Sequence, residues 1–387
     1  MQKSLGAARA FSRSAMIENR SRANQMDMSV ALDNLVVCAC GRHEYLTGDA
    51  IDAAIFRDEL DEKWRKFLRD VAAEDRADEL DLKVDEATAS AAAEAFRYDH
   101  DLITAEETEA WLPNRGLTLD DFSDYFVRRY FADTVCEELV PSDEEYWSAS
   151  PNLRQLFVAD LVLSGELDRM TRDLMWRLAS RCAETDLSPE AISAEEQRFF
   201  KRTAVEPAQL SNWLKKLGRD LKWFNEMTAM EAAYRTRCNA LLCPAARQRE
   251  LAGCMFTLTQ FETEIIELES HDAAKETLFC VREDGTSMEE VAGEGRYPYR
   301  RANFLLGDVP TESQRRFLGV SAGDILEPIP RGDGFELCRV ITRSEARADD
   351  PTIQSRLDQR LLGRHFSDLI GKYVELRFGG VSTPTVK

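Results

Sequence analysis

One segment of this chain occurs twice. AEETEAWLPNRGLTLDDF at 105–122 returns as EPAQLSNWLKKLGRDLKWF, setting Trp111 against Trp213, Leu112 against Leu214, Gly116 against Gly218 and Phe122 against Phe224 at an offset of 102 residues. In each copy a Trp-Leu pair precedes a glycine, the pattern of a helix that ends on a left-handed residue before a second helix begins. A chain built this way is committed to two helical units of similar plan. The copies also predict a common continuation, an apolar strand and then a helix. In the first copy this is FVADLVLSGELDRMTRDLMWRLA at 157–179, and in the second FTLTQFETEIIELESHDAAKETLFCVRE at 256–283.

The flanks of the repeat are patterned differently. LDNLVVCACGRHEYLTGDAIDAAI predicts a short strand over 35–40, a turn at Gly41 and a helix capped by Thr47 or Asp49. Ile55, Leu60, Trp64, Phe67, Leu68 and Val71 then fall at helical spacing, with acidic runs on the opposite, solvated face. Beyond Gly285 the pattern becomes alternating, and ILEPIP at 325–330 and FELCRVITR at 335–343 flank the turn RGDG. Asp350 and Pro351 open a last helix with an apolar stripe of Ile353, Leu357, Leu361, Phe366, Leu369 and Ile370. YVELRF at 373–378 makes a closing strand, for which the opening LVVCAC is the available partner.

The expected fold is therefore α+β: a mostly helical, internally duplicated body with a C-terminal α/β module and a returning helix and strand. Its expected divisions are a disordered leader at 1–30, a strand and helical unit at 31–183, a second helical unit at 184–255, the α/β module at 256–345 and the returning segment at 346–387. At 387 residues the chain is long enough to bury a core without metals or disulfides. Its net charge of -20 opposes binding to nucleic acid or to anionic membranes. No run nears the roughly 18 apolar residues of a membrane span. The leader carries Lys3, Arg9, Arg13, Arg20 and Arg22 but lacks the apolar centre of a secretory signal. Nine scattered cysteines suit reduced thiols, and the expected location is the cytoplasm.

Few residues suggest chemistry by themselves. Cys38, Cys40 and His43 are ligand types, but the spacing C-x-C-G-x-H is not that of a structural zinc site, and alternation puts both thiols on one strand face, as core residues. His100, His271 and His365 stand outside any nucleophile or metal motif. Asp120, Asp121 and Asp124 lack the glycine and terminal glutamate of an EF-hand loop and are expected on the surface. The expectation is no metal and no cofactor.

Taken with this order of elements, VSAGDILEPIPRGDGFELCRVITR at 320–343 resembles the closing segment of the SurA and PpiC group of parvulin-type peptidyl-prolyl isomerase chaperones. Gly323, Asp324, Ile325, Pro328, Gly334 and Phe335 fit its pattern, and LVVCACGRHEYLTGDAIDAAI resembles the opening of those proteins. Under the resemblance, Glu336 stands where the family has its closing histidine and Glu264 where it has the first. In LLGDVPTESQRRF, Asp308 and Glu312 replace the apolar residues that line a proline pocket. The segment FRYDHDLITAEETEAWLPNRGLTLDDF is similar to the parvulin-like proteins of ribosomal peptide maturation, crocagin-type pathways among them.

What the resemblance implies is a degenerate, non-catalytic chaperone that holds a precursor peptide for modifying enzymes. Its expected peptide contacts are Phe304, Leu306, Phe335, Leu337 and Ile341, with a groove near Trp147 and Trp176 as the alternative. An active prolyl isomerase or general foldase, and a scaffold for folded enzymes, are the competing readings. The partners expected are a precursor peptide and the enzymes that modify it.

Overall fold

The computed structural model describes residues 32–135, 142–184 and 186–377. The basic leader and the last residue of the expected closing strand, Phe378, lie outside the described residues. The fold is α+β, mostly helical with two small antiparallel sheets. It divides into two compact units, 1–237 with 366–387 and 238–365.

The first unit opens on β1 (Val36–Cys40), turns at Gly41 with φ +62°, and returns as β2 (His43–Leu46). That second strand was not expected. It runs directly into α1 (Thr47–Phe56), whose cap position is Leu46 rather than Thr47 or Asp49. Asp49 contributes from inside the first turn, accepting a 2.8 Å hydrogen bond from the Leu46 N–H. β7 (Val374–Leu376) pairs antiparallel with β1, so the chain's opening and closing strands share one sheet, as their sequences suggest.

The remaining helices of this unit are α2 (Asp61–Glu79), α3 (Glu86–Asp99), α4 (Ala105–Trp111), α5 (Leu119–Thr134), α6 (Pro151–Leu163), α7 (Glu166–Ala183), α8 (Pro189–Thr203), α9 (Leu210–Leu217) and α10 (Leu221–Leu241), the last crossing the unit boundary. The strand expected at the start of 157–179 is instead helix α6. Ser150 caps it from its hydroxyl, Pro151 occupies its first turn, and Phe157, Val158, Ala159, Leu161, Val162 and Leu163 are all buried. Its second half is an apolar run interrupted only by Asp160, and so short a run cannot be told by periodicity from a buried strand.

The repeat is real at the level of backbone and core. Gly116 (φ +69°, ψ 16°) and Gly218 (φ +67°, ψ 24°) end corresponding turns, each followed by an N–H bonded at 2.9 Å to the matched leucine carbonyl, Leu117 to Leu112 and Arg219 to Leu214. Phe96 packs edge-on to Trp111 and Phe122, and Phe199 packs edge-on to Trp213 and Phe224. Leu112 and Leu214 are both 2% exposed, while Trp111 and Trp213 are half-buried rather than enclosed.

The second unit holds α11 (Pro244–Cys254), β3 (Gln260–Leu268), α12 (His271–Arg282), α13 (Met288–Gly295), β4 (Tyr299–Leu305), α14 (Thr311–Phe317), β5 (Ile329–Arg331), β6 (Gly334–Ser344) and the first part of α15 (Pro351–Tyr373). The strands form one antiparallel sheet in the order β4-β3-β6-β5. Adjacent residues Ile265 and Ile266 enter different cores. Ile265 joins Phe261, Leu306, Phe317 and Val340, whereas Ile266 joins Leu268, Leu278, Met288 and Leu337. A sheet apolar on both faces explains why EII breaks the alternation expected of a half-exposed strand.

Candidate functional site

The sheet of the second unit carries most of the residues singled out from the sequence, and its register decides which of them meet. Glu264 lies opposite Arg301 on β4 and Arg339 on β6. Its carboxylate accepts from the Tyr299 hydroxyl at 2.9 Å and from Arg301 at 3.3 Å. Glu336 lies opposite Glu267, accepts from Arg300 at 2.8 Å, and is also bonded by Arg331. Since side chains alternate along a strand, Glu264 shares the face of Ile266 and Glu336 shares the face of Ile265. The two positions that the resemblance reserves for paired histidines therefore sit on opposite faces, each neutralised by its own arginines. Burial alone would lower the Arg300 pKa, but hydrogen bonds to Glu267 and Glu336 outweigh it and raise it. Beneath them the Cys338 thiol is pushed up to about 12 by burial.

Asp308 and Glu312 lie on the surface, outside both clefts described below. Asp308 is bonded by Arg356 at 3.0 Å on the surface, and Glu312 is exposed in the first turn of α14.

Of the expected peptide contacts, Leu306 is 1% and Leu337 0% exposed, so both are core residues that no peptide reaches. Phe304 is half-buried, its ring stacked on Phe261 at 5.9 Å and edge-on to Phe317. Phe335 is half-buried against His271, and Ile341 sits at the bulge where β6 slips against β3. The sheet edge expected beside 335–341 is already occupied. Gly323 donates to Val340 at 2.8 Å, Val340 to Asp324 at 2.9 Å and Leu326 to Cys338 at 2.8 Å, so the chain's own 323–326 segment extends the sheet there. Among the described residues the outer sides of β4 and of the three-residue β5 have no partner strand, and β4, at seven residues, is the longer edge. Along β4, Arg300 shares the face of Phe304, whereas Arg301 and Asn303 lie on the other, and both arginines are ion-paired within the sheet.

Two clefts were not anticipated. One of about 660 Å³ lies in the second unit between Arg282, the 319–327 segment and Arg339. The other, of about 530 Å³ in the first unit, mixes Phe67, Phe96, Tyr125 and Phe157 with Lys66, Asp70 and Asp160. Burial raises both Asp70 and Asp160, against the lowering pull of Arg129 and Arg128. Phe67 belongs to the apolar stripe read from the sequence, and nothing in that spacing marks the gap between helices.

The alternative groove is filled. Trp176 stacks on Phe366 at 4.8 Å, and Lys216 covers the Trp147 ring at 5.3 Å. Cys38 is buried, Cys40 half-buried and His43 exposed. No group of three or more His, Cys, Asp or Glu side chains among the described residues is placed to hold a metal. Asp121 serves as the capping partner of Thr118 at the start of α5.

No family model and no curated protein matches this chain. Among solved structures it is similar to the peptidylprolyl isomerase PrsA from Bacillus anthracis, at 14% identity and a TM-score of 0.31 over 52% of this chain and 96% of that one. It is similar also to PrsA from Bacillus cereus, at 12% identity and 0.32 over 60% and 89%. A third is a structure from a study of the SurA-like chaperones PEB4 and Cj1289 of Campylobacter jejuni, at 8% identity and 0.19 over 55% and 88%.

Proposed function

We propose that this chain is a peptide-holding protein of parvulin-chaperone type, without prolyl isomerase chemistry, that presents a ribosomally made precursor peptide to the enzymes that modify it. The observation that carries the reading is the outer edge of β4, a row of backbone donors and acceptors with no partner strand among the described residues, beside half-buried Phe304. An extended peptide added there satisfies those groups along its length, and alternate side chains reach the Phe304 surface. The placement of Glu264 and Glu336 on opposite faces supports the non-catalytic part. The likeness of 96–122 to proteins of ribosomal peptide maturation supports the choice of client. The net charge of -20 favours a basic or neutral peptide, and the scattered thiols favour the cytoplasm as its location.

Calorimetry with a short basic peptide and its twin carrying N-methyl groups at alternate residues tests the reading. The unmodified peptide should bind at about micromolar affinity, moderate because a flexible segment must be ordered, and the methylated twin should lose most of that affinity. Equal affinity for both would refute pairing to a strand edge.

A further inference from the structure

Two cysteines 142 residues apart in sequence meet in the first unit. The Sγ atoms of Cys40, the last residue of β1, and Cys182, in the final turn of α7, are 2.7 Å apart. Neither belongs to the repeat, to the second-unit sheet or to the proposed peptide edge. A disulfide bond is about 2.05 Å long, so the sulfurs need close by only a fraction of an ångström. One of the pair sits at a helix end, where the backbone yields most readily. Cys38 is no competing partner: it is fully buried, and it stands two residues along the same strand, about 6.6 Å away by strand geometry, towards the upper end of what a disulfide spans.

We propose that Cys40 and Cys182 form a reversible dithiol site that reacts with small disulfides of the glutathione class and so pins α7 to the sheet that joins the chain's opening and closing strands. The exposed Cys182 reacts first. Its thiolate attacks one sulfur of glutathione disulfide, breaking that S–S bond and releasing one glutathione thiolate. Cys40, once deprotonated to solvent, then attacks the Cys182 sulfur of the mixed disulfide and releases the second glutathione. Two protein S–H groups and one glutathione disulfide become one protein disulfide and two glutathione thiols, with two electrons passing to the oxidant.

The surroundings set the order of events. Burial, and then the hydrogen bond and charge of Cys182, push the Cys40 thiol up to about 12, so Cys40 rests as a thiol and follows as the second nucleophile. When Cys182 is capped, two of those three causes are removed. Cys40 faces Val374 of β7 on one side and His43 of β2 on the other, so the new bond holds the middle strand of the sheet. It closes a long loop in the unfolded chain, the situation in which a cross-link restrains that state most.

The test uses the full chain, fully reduced and then exposed to glutathione disulfide, with free thiols alkylated before non-reducing peptide mapping. The expected result is an intact mass lower by two hydrogens, a peptide pair joining Cys40 to Cys182, and a melting temperature that rises by several degrees and falls back on reduction. Cys182→Ser, at an exposed position, and Cys40→Ala should each abolish both the cross-link and the rise while keeping the far-ultraviolet circular dichroism of the reduced protein. Glutathione retained on Cys182 with Cys40 still open to alkylation would overturn the proposal. A bond between Cys40 and Cys38, a cross-link with an unchanged melting temperature, or no reaction would do so equally.

Discussion

Glu264 and Glu336 were legible in the sequence as acidic residues at the two positions the resemblance reserves for histidine. Their separation was not, because which face a residue takes depends on the register of three strands and on the bulge near Ile341. Restoring histidine at both places should consequently leave proline-limited refolding at its uncatalysed rate. A rate well above background, in the Glu264→His and Glu336→His double variant or in the unmodified protein, would count against the non-catalytic reading. Buried ion pairs give sharper single-residue expectations. Glu231 is 2% exposed and is bonded by Arg177, itself largely buried, so Glu231→Ala removes the nearer carboxylate and leaves that guanidinium only Asp173, at 4.0 Å. Such a loss costs about 3 to 5 kcal/mol, measurable as a lowered urea midpoint. Asp52 behaves in the opposite sense. Burial pushes its carboxyl up to about 6, against the lowering effect of Arg219, whose Nε lies 2.6 Å from it. The folded state therefore holds a proton that the unfolded chain releases at lower pH, so this group's contribution to stability is greatest below pH of about 4 and declines up to about 6. Asp52→Asn, which mimics the protonated form, should be more stable than the parent at pH of about 7 by roughly 1 to 3 kcal/mol and equal to it in acid. A gain of the same size at both ends of that range would contradict the assignment.

At the scale of elements, the repeat was readable because its signals are local: a Trp-Leu pair, a glycine in the left-handed region and a phenylalanine one turn into the next helix. The α6 helix and the β2 strand were misread or missed, the first because its second half is a short apolar run and the second for being only four residues long. The two copies also differ in what surrounds them, and substitution should expose this. Phe199 is 0% exposed whereas Phe96 is half-buried, so Phe199→Ala should cost about 3 to 5 kcal/mol and Phe96→Ala clearly less. Alanine at either repeat glycine pays for the left-handed conformation, roughly 1 to 2 kcal/mol. At Gly116 the added carbon also falls 2.8 Å from Leu32 Cδ2 and 2.9 Å from Leu35 Cδ1, while at Gly218 it meets nothing within 4 Å. Gly116→Ala should then have the lower denaturant midpoint of the two. The reverse order would mean that the turn after α4 is looser than its contacts imply.

For the molecule as a whole, the balance of 70 acidic against 50 basic residues made nucleic acid a poor partner and left peptide recognition open. It also predicts how association responds to salt. The on-rate of a basic peptide should fall several-fold between low and physiological ionic strength while the off-rate changes little, since long-range attraction is screened beyond about 8 Å. Sequence reasoning offered the sheet edge beside Phe335 to Ile341 or the surface of Phe304 and Leu306, and a segment with no strand pattern, 323–326, covers β6 at the first of these, while β4, the strand of Phe304, is outermost. In the proposed function a client peptide pairs with the outer side of β4. Amide hydrogen exchange over 299–305, measured with and without a saturating basic peptide, tests it most directly. Pairing should slow alternate β4 amides by about tenfold or more, in step with the hydrogen bonds gained on one side of the strand. Protection appearing instead around Phe67 and Phe157 in the first unit, with β4 unchanged, would contradict it.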